Sequence, residues 1–461
     1  MRTCNWTIGI MLAAVCGGAC GAQAAEDAGW YTQGNFAPVQ RYAITLKNPL
    51  DFERPHCGVT LSRQQMPVKD LQEMWVTVVD PSLPSKEAPT AQERAVHGAH
   101  LLQRETHGHA IFHQLDDLDK DGIWDELYFQ TDMRAGGSKT IYLYVGFNQR
   151  GWNPHETHAE IGSYARHLVP FWESKMVGWK LWFPTSVDVY GKRVPQLISQ
   201  RLDMDNMDGY GVPRDMGSDI QSVDATFGAG GICVFEKPDD LTKATLPRFT
   251  PAGGEQARST KFNAGPLSDT RYSFDVVANG PLRSSIRVRT MNWKSGAGDY
   301  AAEQLYTAYA NESYSTCRVK FTTFAPANPG TLWGCGFRKK PEEKDFYNQG
   351  GVVISSGPEE IKNPDEARGQ VPVKVDFIGG ALAVREIDKP RYTFVPDAEQ
   401  GNHALAVAPT PGGEFEYMIA CAWSEGPVLK NAAEFKEYVI KAAAGWNHPL
   451  EATFSALEKR P

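Results

Sequence analysis

Apolar and polar residues alternate in short runs along most of the chain, as in Tyr42-Ala43-Ile44-Thr45-Leu46, Met74 to Val79, Lys139 to Val145, Trp179 to Phe183 and Tyr272 to Val277. A two-residue period sends alternate side chains to opposite faces, so each run predicts a strand with one buried face. The pattern continues through Leu282 to Met291, Glu303 to Tyr309, Ser313 to Phe324, Val371 to Phe377 and Glu414 to Trp423, with Gly, Pro and Asn between the runs. Helical spacing is convincing in one place. There Asn431 can cap, Glu434 completes the box, and Phe435, Tyr438, Val439 and Ala442 share a face before Gly445.

Many strands and few helices predict an all-β fold of antiparallel sandwiches. The expected division is an N-terminal β-domain over 36–150 and a β-supersandwich over 151–461 that ends in the helix. Three irregular stretches, Pro81 to His107, Glu236 to Asp269 and Gly357 to Gln370, read as long surface loops.

The first 25 residues change the picture of where the protein works. Arg2, the apolar stretch Ile8 to Val15 and the small residues around Ala24 form a secretory leader, which predicts a periplasmic or extracellular protein. The residues around Cys16 and Cys20 match a lipoprotein box poorly, so no lipid anchor is expected. No later apolar run is long enough to span a membrane. Beyond the leader, Cys57, Cys233, Cys317, Cys335 and Cys421 are too few and too scattered for a disulfide scaffold or a zinc ribbon, although an oxidising compartment permits one bridge.

A net charge of −8 argues against nucleic acid as a partner, because phosphates require a dense basic surface. The 12 Trp and 17 Tyr suit stacking on sugar rings, and they suit strand packing equally. No Gly-x-Ser-x-Gly elbow, helical His-Glu-x-x-His pair or phosphate-binding glycine loop is present.

Two segments carry candidate chemistry. Asp117, Asp119, Asp121 and Asp125 alternate around Gly122 at the spacing of a calcium loop, but Tyr128 stands where an EF-hand needs its last carboxylate, and a strand follows. A short structural calcium turn between strands is the expectation; Asp side chains capping backbone amides without metal is the alternative. From Trp172-Glu173-Ser174 through Trp179, Lys180, Asp188, Tyr190, Lys192 and Tyr210 to Arg214 and Asp219, aromatic and titratable residues are dense, as a sugar cleft requires; a polar rim of loops with capped turns fits the same spacing equally. Arg283, Arg287 and Arg289 alternate with aliphatics, which places a row of guanidinium groups on one sheet face, matched by acidic residues on neighbouring strands.

Three stretches resemble an uncharacterised family of secreted bacterial proteins found among polysaccharide-utilisation genes: Gln114 to Phe129, Trp172 to Lys192, and Gly217 to Val223. The likeness covers about residues 40 to 450. Gly211 and Met216 replace a His and a Trp of the family pattern. Asn279 to Val288 and the strands after it are also similar to the galactose mutarotase-type supersandwich, which implies a carbohydrate-processing fold.

The resulting expectation is a carbohydrate-active enzyme on a poly- or oligosaccharide. As a polysaccharide lyase on uronate-containing glycans it would use Tyr210 or Lys192 as base and Arg214 to stabilise the enolate. As a glycoside hydrolase it would use Glu173 and Asp219 as its carboxylate pair. Trp172 and Trp179 are the expected stacking surfaces. A non-catalytic glycan-binding protein is the third reading.

Overall fold

The computed structural model describes residues 29–67, 76–97, 103–146, 148, 153–164, 167–182, 186–201, 215–221, 223, 226–247, 270–295, 297–361, 373–397 and 400–461. The expected leader, Tyr210 and Arg214 lie outside these residues. Each alternating run named above contributes a strand, and the architecture is all-β with antiparallel sheets.

The first sandwich pairs a six-stranded with a three-stranded sheet. The larger runs in the order Glu451–Phe454, Gln40–Lys47, Ser138–Val145, Val76–Asp80 and His109–Ala110, and Glu458–Lys459 also pairs with Gln40–Lys47. The smaller joins Arg54–Ser62, Glu126–Met133 and His113–Asp116, and the two close over Ile44, Leu46, Val59, Leu127 and Phe129. Ile44 lies opposite Phe454 in register, so the end of the chain completes the first sheet. Residues 451–459 therefore join the first sandwich, although they follow the boundary expected at 150.

The second body is built on an eight-stranded sheet in the order Arg271–Asn279, Arg283–Lys294, Gly298–Tyr309, Tyr314–Pro326, Glu414–Trp423, Val373–Val384, Val352–Ile361 and Asp345–Gln349. One face carries Ile286, Val288, Tyr306, Val319, Tyr417 and Ile419 into the main core. That core is closed by a five-stranded sheet from Thr157–Tyr164 to Gly217–Asp219 and a four-stranded sheet containing Leu332–Arg338 and Asn402–Val407. Period-two alternation sends Ser285, Leu305, Thr307, Thr316, Arg318 and Glu416 to the opposite face, where they line a cleft.

The helix Ala432–Asn447 packs Phe435, Val439 and Ala443 on that same outer face against Met418, Ala420 and Ala381. Asn431 caps the Glu434 amide at 3.0 Å as expected. Glu434 reaches the Lys430 amide instead of closing the box on Asn431. The helix continues through Gly445, and Arg54 of the first sandwich caps its last turn by donating to the Gly445 and His448 carbonyls at 2.9 and 3.0 Å.

Two of the expected loops contain structure: Pro81 to His107 holds the helix Ala91–His97, and Gly357–Ile361 is the end of a strand. The five cysteines beyond the leader are all buried and free, so the permitted bridge is not formed. Among the described residues no helix is long and apolar enough to cross a membrane.

Candidate functional site

Strand alternation decides the fate of the residues singled out from the sequence. Trp172 and Trp179 are cross-strand partners pointing into the main core, and both are fully buried. Trp172 packs on Tyr306 at 4.6 Å between ring centroids and donates to the Ser315 hydroxyl at 2.9 Å. Neither ring offers a face to a sugar, which corrects their expected role as stacking surfaces.

Glu173 and Lys192 point the other way, yet they too are fully buried, because residues 193–201 fold back over this face. Their side chains form an ion pair. The carboxylate also accepts the Ile198 amide at 2.9 Å and the Ser199 amide at 2.8 Å, while Lys192 donates to the Ser174 carbonyl and, at 2.8 Å, to the Gln196 carbonyl. Burial pulls the Lys192 ammonium below its ordinary value, and Glu173 opposes that pull. With these partners and both side chains fully buried, the pair is a strut, so the expected catalytic Glu173 and Lys192 are corrected to structural residues.

Asp219 stands apart from that strut, in a second buried cluster. Lys180 lies 3.1 Å from Asp188 and 3.4 Å from Asp219 and donates to the Tyr190 hydroxyl at 2.9 Å. Burial, and then the Asp219 charge, push Asp188 up to about 8. The Asp219 side chain is 10% exposed, the most open of the three charged groups. Glu173 and Asp219 are thus held by different lysines and do not form the expected pair across a cleft.

An open concave surface lies elsewhere among the described residues. A cleft of about 620 Å³ separates the first sandwich from the outer face of the eight-stranded sheet, with the C-terminal helix closing one end. Its size suits a small ligand or a few sugar units. Tyr128, Tyr309 and Tyr314 line it as a row of rings, with centroids 5.9 Å and 5.6 Å apart.

Three carboxyls sit along this row. Glu126 pairs with Arg283 at 2.7 Å, and Arg283 also binds Asp116, clamping the two sandwiches together. Glu416 pairs with Arg385 at 2.6 Å, and the Arg385 guanidinium lies over the Trp446 ring at 3.8 Å. Glu312 has no ion pair among the described residues; its Oε2 accepts the Tyr438 hydroxyl at 2.7 Å. Loss of water pushes Glu312 up to about 7, against the Tyr438 hydrogen bond and the Arg54 charge.

Glu312 occupies the hairpin turn between Gly298–Tyr309 and Tyr314–Pro326, where Asn311 takes the left-handed conformation with φ 65° that Asn tolerates. Ser174 holds this turn from behind by donating to the Glu312 carbonyl at 2.7 Å. The Trp172-Glu173-Ser174 stretch therefore supports the cleft through its backbone fastening. Sequence reasoning missed Glu312, Glu416 and Tyr438, which only the fold brings together.

The Asp-rich turn borders the same cleft through Leu118. Carboxylate oxygens of Asp117, Asp119 and Asp125 come within 4.8 Å of one another, a set of hard oxygen donors that fits calcium. Asp121, also expected as a ligand, stands outside this set of three and accepts the Ile123 amide at 2.7 Å. Lys120 donates to the Val277 carbonyl and Arg287 to the Leu118 carbonyl, so the turn is tied to the supersandwich.

None of the curated proteins matches this chain. Among solved structures it is similar to a protein in glycosyl hydrolase family 38 from Enterococcus faecalis, at 10% identity and a TM-score of 0.46, over 90% of this chain and 47% of that one. It is similar in the same measure to an α-mannosidase from Enterococcus faecalis V583, with 10% identity, a TM-score of 0.46, and coverage of 91% and 46%. The chain spans about half the length of these structures, and no residue role is carried over from them. The family pattern described as "Domain of unknown function (DUF4861)" matches residues 46–452, and this chain belongs to that family.

Proposed function

We propose that the protein is a carbohydrate-active enzyme of the hydrolase type, working in the cleft between the two sandwiches with Glu312 as general acid. The observation that carries this reading is a partly buried carboxyl, raised to about 7, standing in an open, tyrosine-lined cleft that also holds the Arg385-bound carboxylate of Glu416. A glycosidase needs one carboxyl that keeps its proton near neutrality. Glu312 would protonate the glycosidic oxygen as the bond to the sugar carbon breaks. Water would add to the sugar carbon, its proton passing to solvent; Glu126 and Glu416 are both committed to arginines, Arg283 and Arg385, and Glu416 lies at the register of Arg318, six residues along the chain from Glu312.

The lyase reading finds less support. A lyase base must give up its proton, whereas burial pushes the hydroxyls of Tyr128, Tyr309, Tyr314 and Tyr438 above their ordinary values. Lys192 is sealed in its ion pair. In this reading the protein acts outside the cytoplasm, as its leader predicts, and calcium in the Asp117 turn is structural.

The test is a screen of purified protein against neutral and acidic polysaccharides. New reducing ends without near-ultraviolet absorbance are expected, and Glu312→Gln should lower turnover by about 100-fold or more while the protein stays folded. Unsaturated products, binding without cleavage, or full turnover in Glu312→Gln would each overturn the assignment.

A further inference from the structure

We infer that the cleft is built for an anionic glycan, with Arg318 as the residue that binds a carboxylate or sulfate on the sugar; this rests on the reading of the cleft as a glycan site. The whole chain carries a net charge of −8, yet the cleft is lined by five cationic side chains, Arg54, Arg283, Arg318, Arg385 and Lys441, against the four carboxyls Glu53, Glu126, Glu312 and Glu416. Asp116 and Glu437 add their charges beside Arg283 and Lys441, so the cleft is close to balance and its attraction for an anion depends on which cation is left without a partner.

Four of the five cations are already engaged. Arg283 is held by Asp116 and Glu126, Arg385 by Glu416, and Lys441 by Glu437 at 2.6 Å. Arg54 is spent on the carbonyls at the end of the C-terminal helix. Arg318 differs from them: among the described residues no carboxylate lies within 4.0 Å of it. Its cross-strand neighbours are Leu305 and Glu416, and Glu416 is turned to Arg385 at 2.6 and 3.0 Å.

Arg318 is therefore an exposed guanidinium on the cleft face of a central strand, in register beside Glu416. A planar guanidinium binds carboxylate or sulfate through two parallel hydrogen bonds, and partial exclusion of water in a cleft strengthens them. A neutral sugar would leave this group merely hydrated. The chemistry consequently selects glycans that carry an acidic group.

Binding is measured separately from cleavage, by calorimetry at low salt with short oligogalacturonides, a sulfated galactan fragment and a neutral galactan fragment. Wild type should bind one of the anionic probes more tightly than the neutral one, and Arg318→Ala should weaken that binding by about 10- to 100-fold, as expected for a charge-assisted contact. Arg318→Lys should recover part of it, and the unfolding temperature should not move. The carboxylate and sulfate arms identify which anion is read.

Equal affinity for neutral and anionic probes, or unchanged anionic affinity in Arg318→Ala, would overturn the anion subsite and leave hydrolysis standing. Anionic binding lost in Arg318→Ala, in a protein that cleaves nothing, would support the subsite and overturn the hydrolase reading. Loss of affinity accompanied by a lowered unfolding temperature in both Arg318 variants would count against the subsite.

Discussion

The Tyr438 hydroxyl donates to Glu312 Oε2 at 2.7 Å and at the same time accepts the Ser313 amide at 2.8 Å. A residue of the C-terminal helix thereby fixes both the carboxyl and the backbone of the turn that carries it. The Tyr438 hydrogen bond favours the ionised form of Glu312, so it holds the carboxyl lower than burial alone would.

From this follows a pH dependence with a definite sign. Activity should fall as pH rises past about 7, where Glu312 loses the proton it must donate. Tyr438→Phe removes the donor, so Glu312 should rise further and the alkaline limb should move to higher pH. A merely structural Tyr438 would lower stability, by about 1–3 kcal/mol for the orphaned Ser313 amide, without moving the limb. Rate profiles of the two proteins decide between these.

Stability should register the same group. In the folded protein Glu312 stands above its ordinary 4.5, so between about pH 4.5 and 7 the folded state holds a proton that the unfolded chain has released. The stability it contributes is complete below that window and is lost as pH rises through it. Glu312→Gln should flatten this part of the curve of unfolding temperature against pH; an unchanged slope would place the carboxyl in ordinary solvent.

The sealed pair Glu173 and Lys192 makes the opposite kind of prediction. Glu173→Gln or Lys192→Met leaves a buried partner without its counter-charge, which should cost about 3–5 kcal/mol. The double change Glu173→Leu with Lys192→Met should regain much of that loss. Chemical denaturation of the three variants tests it. Full stability with abolished turnover in Glu173→Gln would restore this residue to catalysis.

The strands were legible because period-two alternation is local, and so was the C-terminal helix with its Asn431 cap. Which face of the 172–192 strands meets water was not legible. Their alternation separates Trp172 and Trp179 from Glu173 and Lys192 correctly, but residues 193–201 cover the polar face and turn a presumed cleft into an interior. A charge on the face opposite a core is solvated only if nothing folds back over it. Glu312 was invisible for another reason. It sits in a hairpin turn, and its environment comes from Tyr128, Tyr314, Tyr438 and Arg54, residues distant in the chain apart from Tyr314. The pairing of the Arg row with acids on adjacent strands was readable, as Arg289 meets Asp275 at 2.8 Å and Glu303 at 3.0 Å.

Gln114 links the two bodies through both ends of its amide. Its Oε1 accepts the Leu282 and Arg283 amides, each at 2.9 Å, and its Nε2 donates to the Arg283 carbonyl at 2.9 Å and to Asp116 at 2.7 Å. Gln114→Leu should leave these buried groups unsatisfied and lower stability by about 1–3 kcal/mol for each orphaned group. The cleft depends on the spacing of the two bodies, so the variant should also raise the KM for a cleaved glycan. Unaltered stability would mean that water replaces the amide and that the link is dispensable.

Calcium held by the Asp-rich turn would act one turn further along the same junction. The oxygens of Asp117, Asp119 and Asp125 are close enough to share one ion, and their mutual repulsion without it works against the turn. The backbone already helps, since Asp117 accepts the Lys120 and Gly122 amides at 2.7 and 2.9 Å. Bound calcium should therefore add stability by linkage, about 2.7 kcal/mol at a hundred times its dissociation constant, read as a higher unfolding temperature. Chelation should remove the gain, and Asp119→Asn should blunt it. Asp121→Asn should preserve it, because Asp121 serves only the Ile123 amide among the described contacts. If verified metal removal leaves the unfolding temperature of the wild type where it was, the Asp side chains are turn caps and the turn is complete without an ion.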